Sequence, residues 1–163
     1  MLINHEQKWI YTAIPKTASK SISCAFGQTQ HPEPFYYHAT FRDIIGMYPE
    51  TRQYKRWAVV RNPFSRLVSC YFDFTIKRKD QYSEKVKLSR PLLSEYPTFE
   101  EFCLELPDSK WASDIFFKPQ VEFLAPSATD ENWQVVTAKY ENLLNDFNTV
   151  CGTLGISPIP ALS

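Results

Sequence analysis

The feature that most constrains this chain is a loop that follows a β-rich run near its N-terminus. The run is KWIYTA, residues 8–13, and the loop is IPKTASKSI, residues 14–22. The loop carries two lysines and several hydroxyls, and a short helix is predicted over residues 21–26, ended by Gly27. The first N–H groups of a helix are unpaired and carry partial positive charge. This junction is therefore predicted to bind an anion.

Length and charge narrow the class of protein. The chain has 163 residues, which predicts one domain over residues 1–163 with a single core. Its 18 basic and 18 acidic residues cancel, so no global field favours a nucleic acid or an acidic membrane. No apolar run reaches the roughly 20 residues of a membrane span, and no secretory leader is recognised. We therefore expect a soluble, cytoplasmic protein with neither a nucleic acid nor a membrane as partner.

The cysteines do not form a metal-binding pattern. Cys24, Cys70, Cys103 and Cys151 are widely separated, with no CxxC pair and no histidine at metal-ligand spacing. We therefore expect free thiols and no metal site. Free thiols favour a reducing compartment.

Strand-like and helix-like segments alternate along the chain. The predicted strands are residues 8–13, 35–37, 55–60 and 133–138. Helices are predicted at 21–26, at 41–47 and after 98–101 behind capping boxes, from Pro63 onward, at 119–124, and in a closing segment ended by Gly155. This alternation predicts an α/β fold of three layers with a mainly parallel central sheet. In such folds the ligand lies at the carboxyl ends of the strands.

A second strand end with a cation is found at Arg61. Residues 55–60, KRWAVV, end in an apolar run typical of a strand buried on both faces of a parallel sheet. Asn62 suits a helix N-cap and Pro63 the first helical position. The helix has a predicted apolar stripe of Phe64, Leu67, Val68, Tyr71 and Phe72. The residues off that stripe, expected to face a ligand or water, are Ser65, Arg66 and Ser69.

A basic stretch lies further along the chain. Residues 77–90 hold six basic residues against two acidic ones. This excess fits either a solvated loop or frayed helix, or a surface that attracts an anionic acceptor.

The loop at residues 14–22 is not an ordinary nucleoside-triphosphate loop. It contains no glycine, so the pattern GxxxxGK[ST] is absent and ATP or GTP hydrolysis is disfavoured. Lys16 and Arg61 instead mark two strand ends that suit a ligand with two separated anionic groups.

The two motifs resemble those of the sulfotransferase family. IPKTASKS is similar to the loop that binds the 5′-phosphosulfate in these enzymes, and VVRNPFSRLVSCY is similar to their 3′-phosphate motif. HATFRDI, KPQVEFL and KYENLLNDF resemble further family segments, so the resemblance covers residues 9–26, 38–72 and 117–155. It implies a P-loop-NTPase-like fold of the carbohydrate-type or bacterial sulfotransferases. These enzymes move a sulfuryl group from 3′-phosphoadenosine-5′-phosphosulfate (PAPS) to a hydroxyl or amine, release adenosine 3′,5′-bisphosphate (PAP) and need no metal.

The resemblance also implies roles for individual residues. Lys16 would contact the 5′-phosphosulfate and stabilise the charge that appears on the bridging oxygen. Arg61 and Ser69 would bind the 3′-phosphate. Lys20 departs from the family, which usually has a small or hydroxyl residue there, so it adds a second cation at the sulfuryl group or points to solvent. Backbone N–H groups, with three hydroxyls, would come from Thr17, Ala18, Ser19, Lys20, Ser21 and Ile22.

The acceptor must also lose a proton, and histidine titrates near neutral pH. His38 lies at a predicted strand-to-helix junction and is the candidate general base; packing or capping at that junction is the alternative. His5, before the first strand, and His31, in a Pro-rich turn, are poorer candidates.

Three functions follow from these observations. The first is a PAPS-dependent sulfotransferase with a hydroxyl or amine acceptor, such as a carbohydrate or another small molecule. The alternatives are a catalytically inert nucleotide-binding or interaction module, and a small-molecule kinase with an atypical phosphate loop. Donor preference separates the three.

Overall fold

A computed structural model describes residues 1–27, 37–77, 92–125 and 134–156 of the chain. They form two compact units, one of Met1–Asn62 with Pro119–Ser163 and one of Pro63–Lys118. The predicted strand at residues 35–37 and the basic stretch at 77–90 fall almost entirely outside the described residues. Tyr37 itself lies in a turn. The single domain over residues 1–163 stays a prediction.

The first unit contains a mixed four-stranded sheet. Its strands are β1 (Leu2–Asn4), β2 (Trp9–Thr12), β3 (Lys55–Val60) and β4 (Val135–Lys139), in the order β1-β2-β3-β4. The pairs β2–β3 and β3–β4 are parallel, whereas β1 pairs with β2 antiparallel. The α/β class is therefore confirmed, and the sheet is mixed because β1, which was not predicted, forms a hairpin with β2.

The described residues also contain α-helices in both units. They are α1 (Ser19–Ala25), α2 (Phe41–Met47), α3 (Pro63–Phe72), α4 (Leu92–Glu95), α5 (Phe99–Glu105), α6 (Gln120–Leu124) and α7 (Leu143–Leu154). The predicted capping boxes begin α2 and α5, where Thr40 pairs with Asp43 and Thr98 with Glu101. In each box the threonine hydroxyl accepts from the third backbone N–H of the helix while the carboxylate accepts from the threonine N–H. Gly155 ends α7 with a left-handed φ of 75°, as predicted.

Helices cover both faces of the sheet in the first unit. Side chains of β2 and β3 pack with α1 and α7 on one face in a cluster that includes Trp9, Tyr11, Ile22, Trp57, Phe147 and Val150. On the other face the guanidinium of Arg56, one residue before Trp57 in β3, lies 5.6 Å from the ring centroid of Phe41 in α2. Neighbouring residues of a strand point to opposite faces, so α2 lies across the sheet from α7. This packing fixes the loop between β2 and α1.

The second unit has its own core. Aromatic and aliphatic side chains from α3, α4, α5 and the segment that follows pack together: Cys70, Tyr71, Phe74, Leu92, Tyr96, Phe102, Trp111, Phe116 and Phe117. A π-helical turn, Asp73–Lys77, extends α3, and short 3₁₀ turns at Leu106–Asp108 and Lys110–Ser113 follow α5. Helix α5 ends at Glu105, two residues before Pro107, whose ring does not fit a helix interior.

The predicted stripe on α3 is wrong in part. Arg66 was expected to face a ligand or water, but it is only 5% exposed, whereas Phe64 is 78% and Phe72 is 43% exposed. The Nη2 of Arg66 donates to the backbone oxygens of Phe116 at 2.9 Å and Lys118 at 3.0 Å. Those carbonyls need a donor inside the unit, and the aliphatic stem of an arginine packs well in a core. Burial lowers the pKa of the Arg66 guanidinium.

Candidate functional site

The loop between β2 and α1 has an unusual backbone for a segment without glycine. Lys16 has a φ of 65° and Ala18, the N-cap of α1, a φ of 62°. Left-handed backbone is costly for residues with a Cβ, and it persists where the surrounding structure enforces it. Left-handed residues in such turns bring consecutive backbone N–H groups to one side and form concavities that hold anions. This backbone is compatible with the predicted anion site, which stays a prediction.

Some side chains of this loop are buried, and others are exposed. Thr17 is fully buried, and its hydroxyl donates to the carbonyl oxygen of Ile14 at 2.9 Å, which closes the turn. Ser19 is buried, Lys16 and Ala18 are half-buried, and Lys20 and Ser21 are exposed. Of the groups predicted to bind an anion, the side chains of Lys20 and Ser21 are therefore the most exposed, and that of Lys16 is partly exposed.

Ile22 does not fit its predicted role. Its side chain is fully buried in the core on the α7 side of the sheet. Its N–H donates to the carbonyl oxygen of Ala18 at 3.0 Å, as the first intrahelical bond of α1. This N–H was predicted to face an anion but is used inside the helix, because only the donors before it lack an intrahelical acceptor.

Arg61 lies directly after β3 and is fixed by its backbone. Its N–H donates to Gln120 Oε1 at 2.9 Å, and its carbonyl oxygen accepts from Gln120 Nε2 at 2.7 Å. The side chain of Gln120 thus acts as a strand partner for one residue beyond the end of the sheet. Next to it, the Asn62 N–H donates to Glu141 Oε1 at 2.7 Å. This bond, then one from the N–H of Glu141 itself and the nearby charges of Arg61 and Lys139, lowers the pKa of the Glu141 carboxyl.

The side chain of Arg61 reaches the loop. Its Nη1 donates to the carbonyl oxygen of Lys16 at 3.2 Å, and its Cζ lies 4.3 Å from the ring centroid of Tyr140. The guanidinium is half-buried, and its Nε is buried without a hydrogen-bond partner among the described residues. The two strand ends that the sequence marks as anion sites are therefore in direct contact.

His38 is attached to the same loop. Its Nδ1 lies 2.5 Å from the carbonyl oxygen of Ala13, and its ring packs edge-on against Tyr37. A carbonyl only accepts, so Nδ1 carries the proton and the lone pair of the neutral ring is on Nε2. The predicted junction role and the predicted base role are therefore compatible: one nitrogen anchors the ring and the other is chemically basic.

The remaining predicted residue, Ser69, is half-buried on α3 in the second unit. The structure joins the Arg61 side chain to the backbone of Lys16 and the His38 ring to the backbone of Ala13, at the start of the same loop. Gln120 and Tyr140 were not predicted as site residues. Their signal in the sequence was weak, because neither contact follows from spacing along the chain. The pairing of β3 with β4 places Tyr140 beside Arg61, and Gln120 reaches Arg61 from the first position of α6.

Features outside this loop also bear on the class of protein. Within the ranges that the structure describes, no group of three His, Cys, Asp or Glu side chains is arranged to hold a metal ion. Among the helices of those same ranges, none has the length and apolar character needed to cross a membrane. None of the four cysteines is in a disulfide, and Cys70 and Cys151 are buried.

A family model, described as the sulfotransferase family, matches residues 1–161. Neither the curated proteins nor the solved structures gave a match to the chain. The family match spans both units and both motifs, including the loop with left-handed Lys16 and the strand end at Arg61. The chain belongs to the sulfotransferase family.

Proposed function

We propose that this protein is a PAPS-dependent sulfotransferase that acts by direct in-line transfer. One observation carries the choice of donor: Arg61 bonds the backbone of Lys16, so two cationic side chains on neighbouring parallel strands share one end of the sheet. PAPS has two separated anionic groups, a phosphosulfate and a 3′-phosphate. Two cationic side chains at one end of the sheet match the two anionic groups of this donor. The loop would take the place of a P-loop without using glycine.

The transfer step assigns a separate task to each residue. The acceptor oxygen or nitrogen bonds to sulfur while the bond from sulfur to the bridging oxygen of PAPS breaks, and PAP leaves with the electron pair. Lys16 stabilises the charge that develops on the bridging oxygen, together with the first N–H groups of α1. Such reactions are accelerated mainly by positioning and by preorganised charge. No metal is required for this mechanism.

Proton removal is assigned to His38. The acceptor proton passes to Nε2, while Nδ1 keeps its bond to the Ala13 carbonyl oxygen. The acceptor is a hydroxyl or amine compound, with carbohydrates and other small molecules as the candidates. The motif assigns Ser69 to the 3′-phosphate beside Arg61, and that role, like the cytoplasmic location, stays a prediction.

Donor preference tests the proposal. Thermal unfolding is measured with PAP, ATP and adenosine 5′-phosphate, and transfer is then measured with ³⁵S-labelled PAPS and a panel of carbohydrate, phenol and amine acceptors. We expect PAP to raise the midpoint temperature, ATP to leave it unchanged, and label to reach at least one acceptor. Stabilisation by ATP alone would support the kinase instead. Binding of PAP with no transfer to any acceptor would support the inert module.

A further inference from the structure

The ring of Tyr140 lies against the guanidinium of Arg61 because of the strand register. Val60 and Lys139, the last residues of the parallel strands β3 and β4, pair with each other. Arg61 and Tyr140 each follow directly after one of these strands. The chain turns after β4 into a 3₁₀ segment, Tyr140–Asn142, which brings the ring 4.3 Å from Cζ of Arg61. This distance is within the range of a cation–π contact.

The contact leaves most of the hydrogen-bonding capacity of Arg61 for another group. An aromatic ring covers one face of the guanidinium, whereas all five of its N–H donors lie in the guanidinium plane. Nη1 donates to the Lys16 carbonyl oxygen, and the buried Nε meets no acceptor in the described parts of the chain. No carboxylate forms an ion pair with Arg61 in those parts, although the charge of Arg61 helps to lower the pKa of the exposed Glu141 carboxyl nearby. The half-buried cation is held by a ring and a carbonyl and is not neutralised by either.

We propose that Tyr140 is a positioning residue that orients Arg61 for the 3′-phosphate of the nucleotide. This inference rests on the proposed function, in which Arg61 binds that phosphate. Tyr140 itself does not contact the nucleotide. Its ring restricts the guanidinium to one plane, so that less rotational freedom is lost when the phosphate binds. The contact is made through the ring, so the hydroxyl is not required.

A purely structural role for Tyr140 makes a different prediction. A ring that only stabilises the end of β4 would, on removal, weaken the binding of every nucleotide to a similar extent. A ring that orients Arg61 would affect only ligands that carry the 3′-phosphate. The informative quantity is therefore the ratio of two dissociation constants, that of adenosine 5′-phosphate divided by that of PAP.

The experiment measures this ratio by titration calorimetry in the wild type and in Tyr140→Leu, Tyr140→Phe and Tyr140→Trp. We expect Tyr140→Leu to lower the ratio about 3- to 30-fold, with the affinity for adenosine 5′-phosphate unchanged. Tyr140→Phe should keep the ratio, and Tyr140→Trp should keep or raise it, since indole is the strongest partner for a cation. Leu144→Ala, at the second position of α7 and 57% exposed, is the control and should match the wild type.

Each contrary outcome is distinct. A wild type that binds PAP no better than adenosine 5′-phosphate overturns the proposed function and this inference with it. A wild type that prefers PAP, combined with a Tyr140→Leu variant that keeps the preference, overturns the inference alone. An equal decrease of the ratio in Tyr140→Phe and Tyr140→Leu overturns the role of the ring. If Tyr140→Leu does not fold, a folded Tyr140→Trp variant with a decreased ratio also overturns the role of the ring.

Discussion

Arg61 Nη1 donates to the backbone oxygen of Lys16 at 3.2 Å. The acceptor belongs to a residue with left-handed backbone, so the arginine at the end of β3 holds the loop after β2 at a strained position. In the proposed function, phosphate binding by Arg61 would therefore be coupled to the shape of the loop. A substitution of Arg61 is expected to affect both ends of the bound nucleotide and not the 3′-phosphate alone.

Arg61→Ala should lower the affinity for PAP by about 10- to 100-fold, because hydrogen bonds to charged groups contribute roughly 1.5–3 kcal/mol. It should also weaken the binding of adenosine 5′-phosphate, since the Lys16 carbonyl loses its donor. Arg61→Lys should recover only part of the loss, because one ammonium does not replace a planar fork that bonds the loop and the phosphate together. Titration calorimetry with both nucleotides measures these effects. Unchanged binding of adenosine 5′-phosphate in Arg61→Ala would contradict the coupling.

Lys16→Ala should lower kcat by about 10²–10³, or roughly 3–4 kcal/mol, because a preorganised group that stabilises developing charge is lost. The matched control is Lys8→Ala. Lys8 is also a lysine with positive φ, at 54°, but it is exposed in the turn between β1 and β2. Both variants place alanine on left-handed backbone, so any general strain is shared. Equal turnover in the two variants would remove Lys16 from the chemical step.

Local signals in the sequence were sufficient for much of the fold. A capping box acts within four residues, so the starts of α2 and α5 were predicted from Thr40 and Thr98. The loop of residues 14–22 and the strand before Arg61 were predicted for the same reason, since strand, turn and helix signals lie side by side in the chain.

Long-range contacts account for what the sequence did not reveal. Leu2 and Ile3 are too few to signal β1, which exists because β2 pairs with it. Arg66 is buried because of carbonyls that lie 50 and 52 residues further along the chain. Tyr140 reaches Arg61 because β4 pairs with β3, and Gln120 reaches it from the first position of α6, so no spacing in the sequence connects either residue to Arg61.

His38→Asn should separate the anchoring role of Nδ1 from the base role of Nε2. The asparagine amide can still donate to the Ala13 carbonyl oxygen from a position near that of Nδ1, but it supplies no base. We expect turnover to fall about 10²–10⁴-fold while PAP affinity stays within twofold. In the wild type, kcat should fall as the pH is lowered, because a protonated imidazole does not accept the acceptor proton; His38→Asn should lack this dependence. A pH profile that is the same in both proteins would leave His38 only its anchoring role.

Gln120→Ala should destabilise the protein, because both backbone groups of Arg61 lose their partner. The expected loss is about 1–3 kcal/mol in the free energy of unfolding, measured with urea. The stability of Gln120→Glu should lie between those of the wild type and Gln120→Ala, because a carboxylate accepts from the Arg61 N–H but has no donor for the Arg61 carbonyl. Val121→Ala, at the next position of α6 and 61% exposed, is the control and should change little. Equal stability of Gln120→Ala and Val121→Ala would show that water replaces the side-chain amide without cost.

Arg66→Met tests the buried arginine of the second unit. Methionine fills much of the same volume without a donor, so the Phe116 and Lys118 carbonyls lose a charged partner. We expect the free energy of unfolding to fall by about 2–4 kcal/mol, since two buried acceptors lose one cationic donor. Leu104→Ala, at a 75% exposed position on α5 of the same unit, should change it by less than about 0.5 kcal/mol. A folded Arg66→Met protein of wild-type stability would show that apolar packing alone sustains the core around α3.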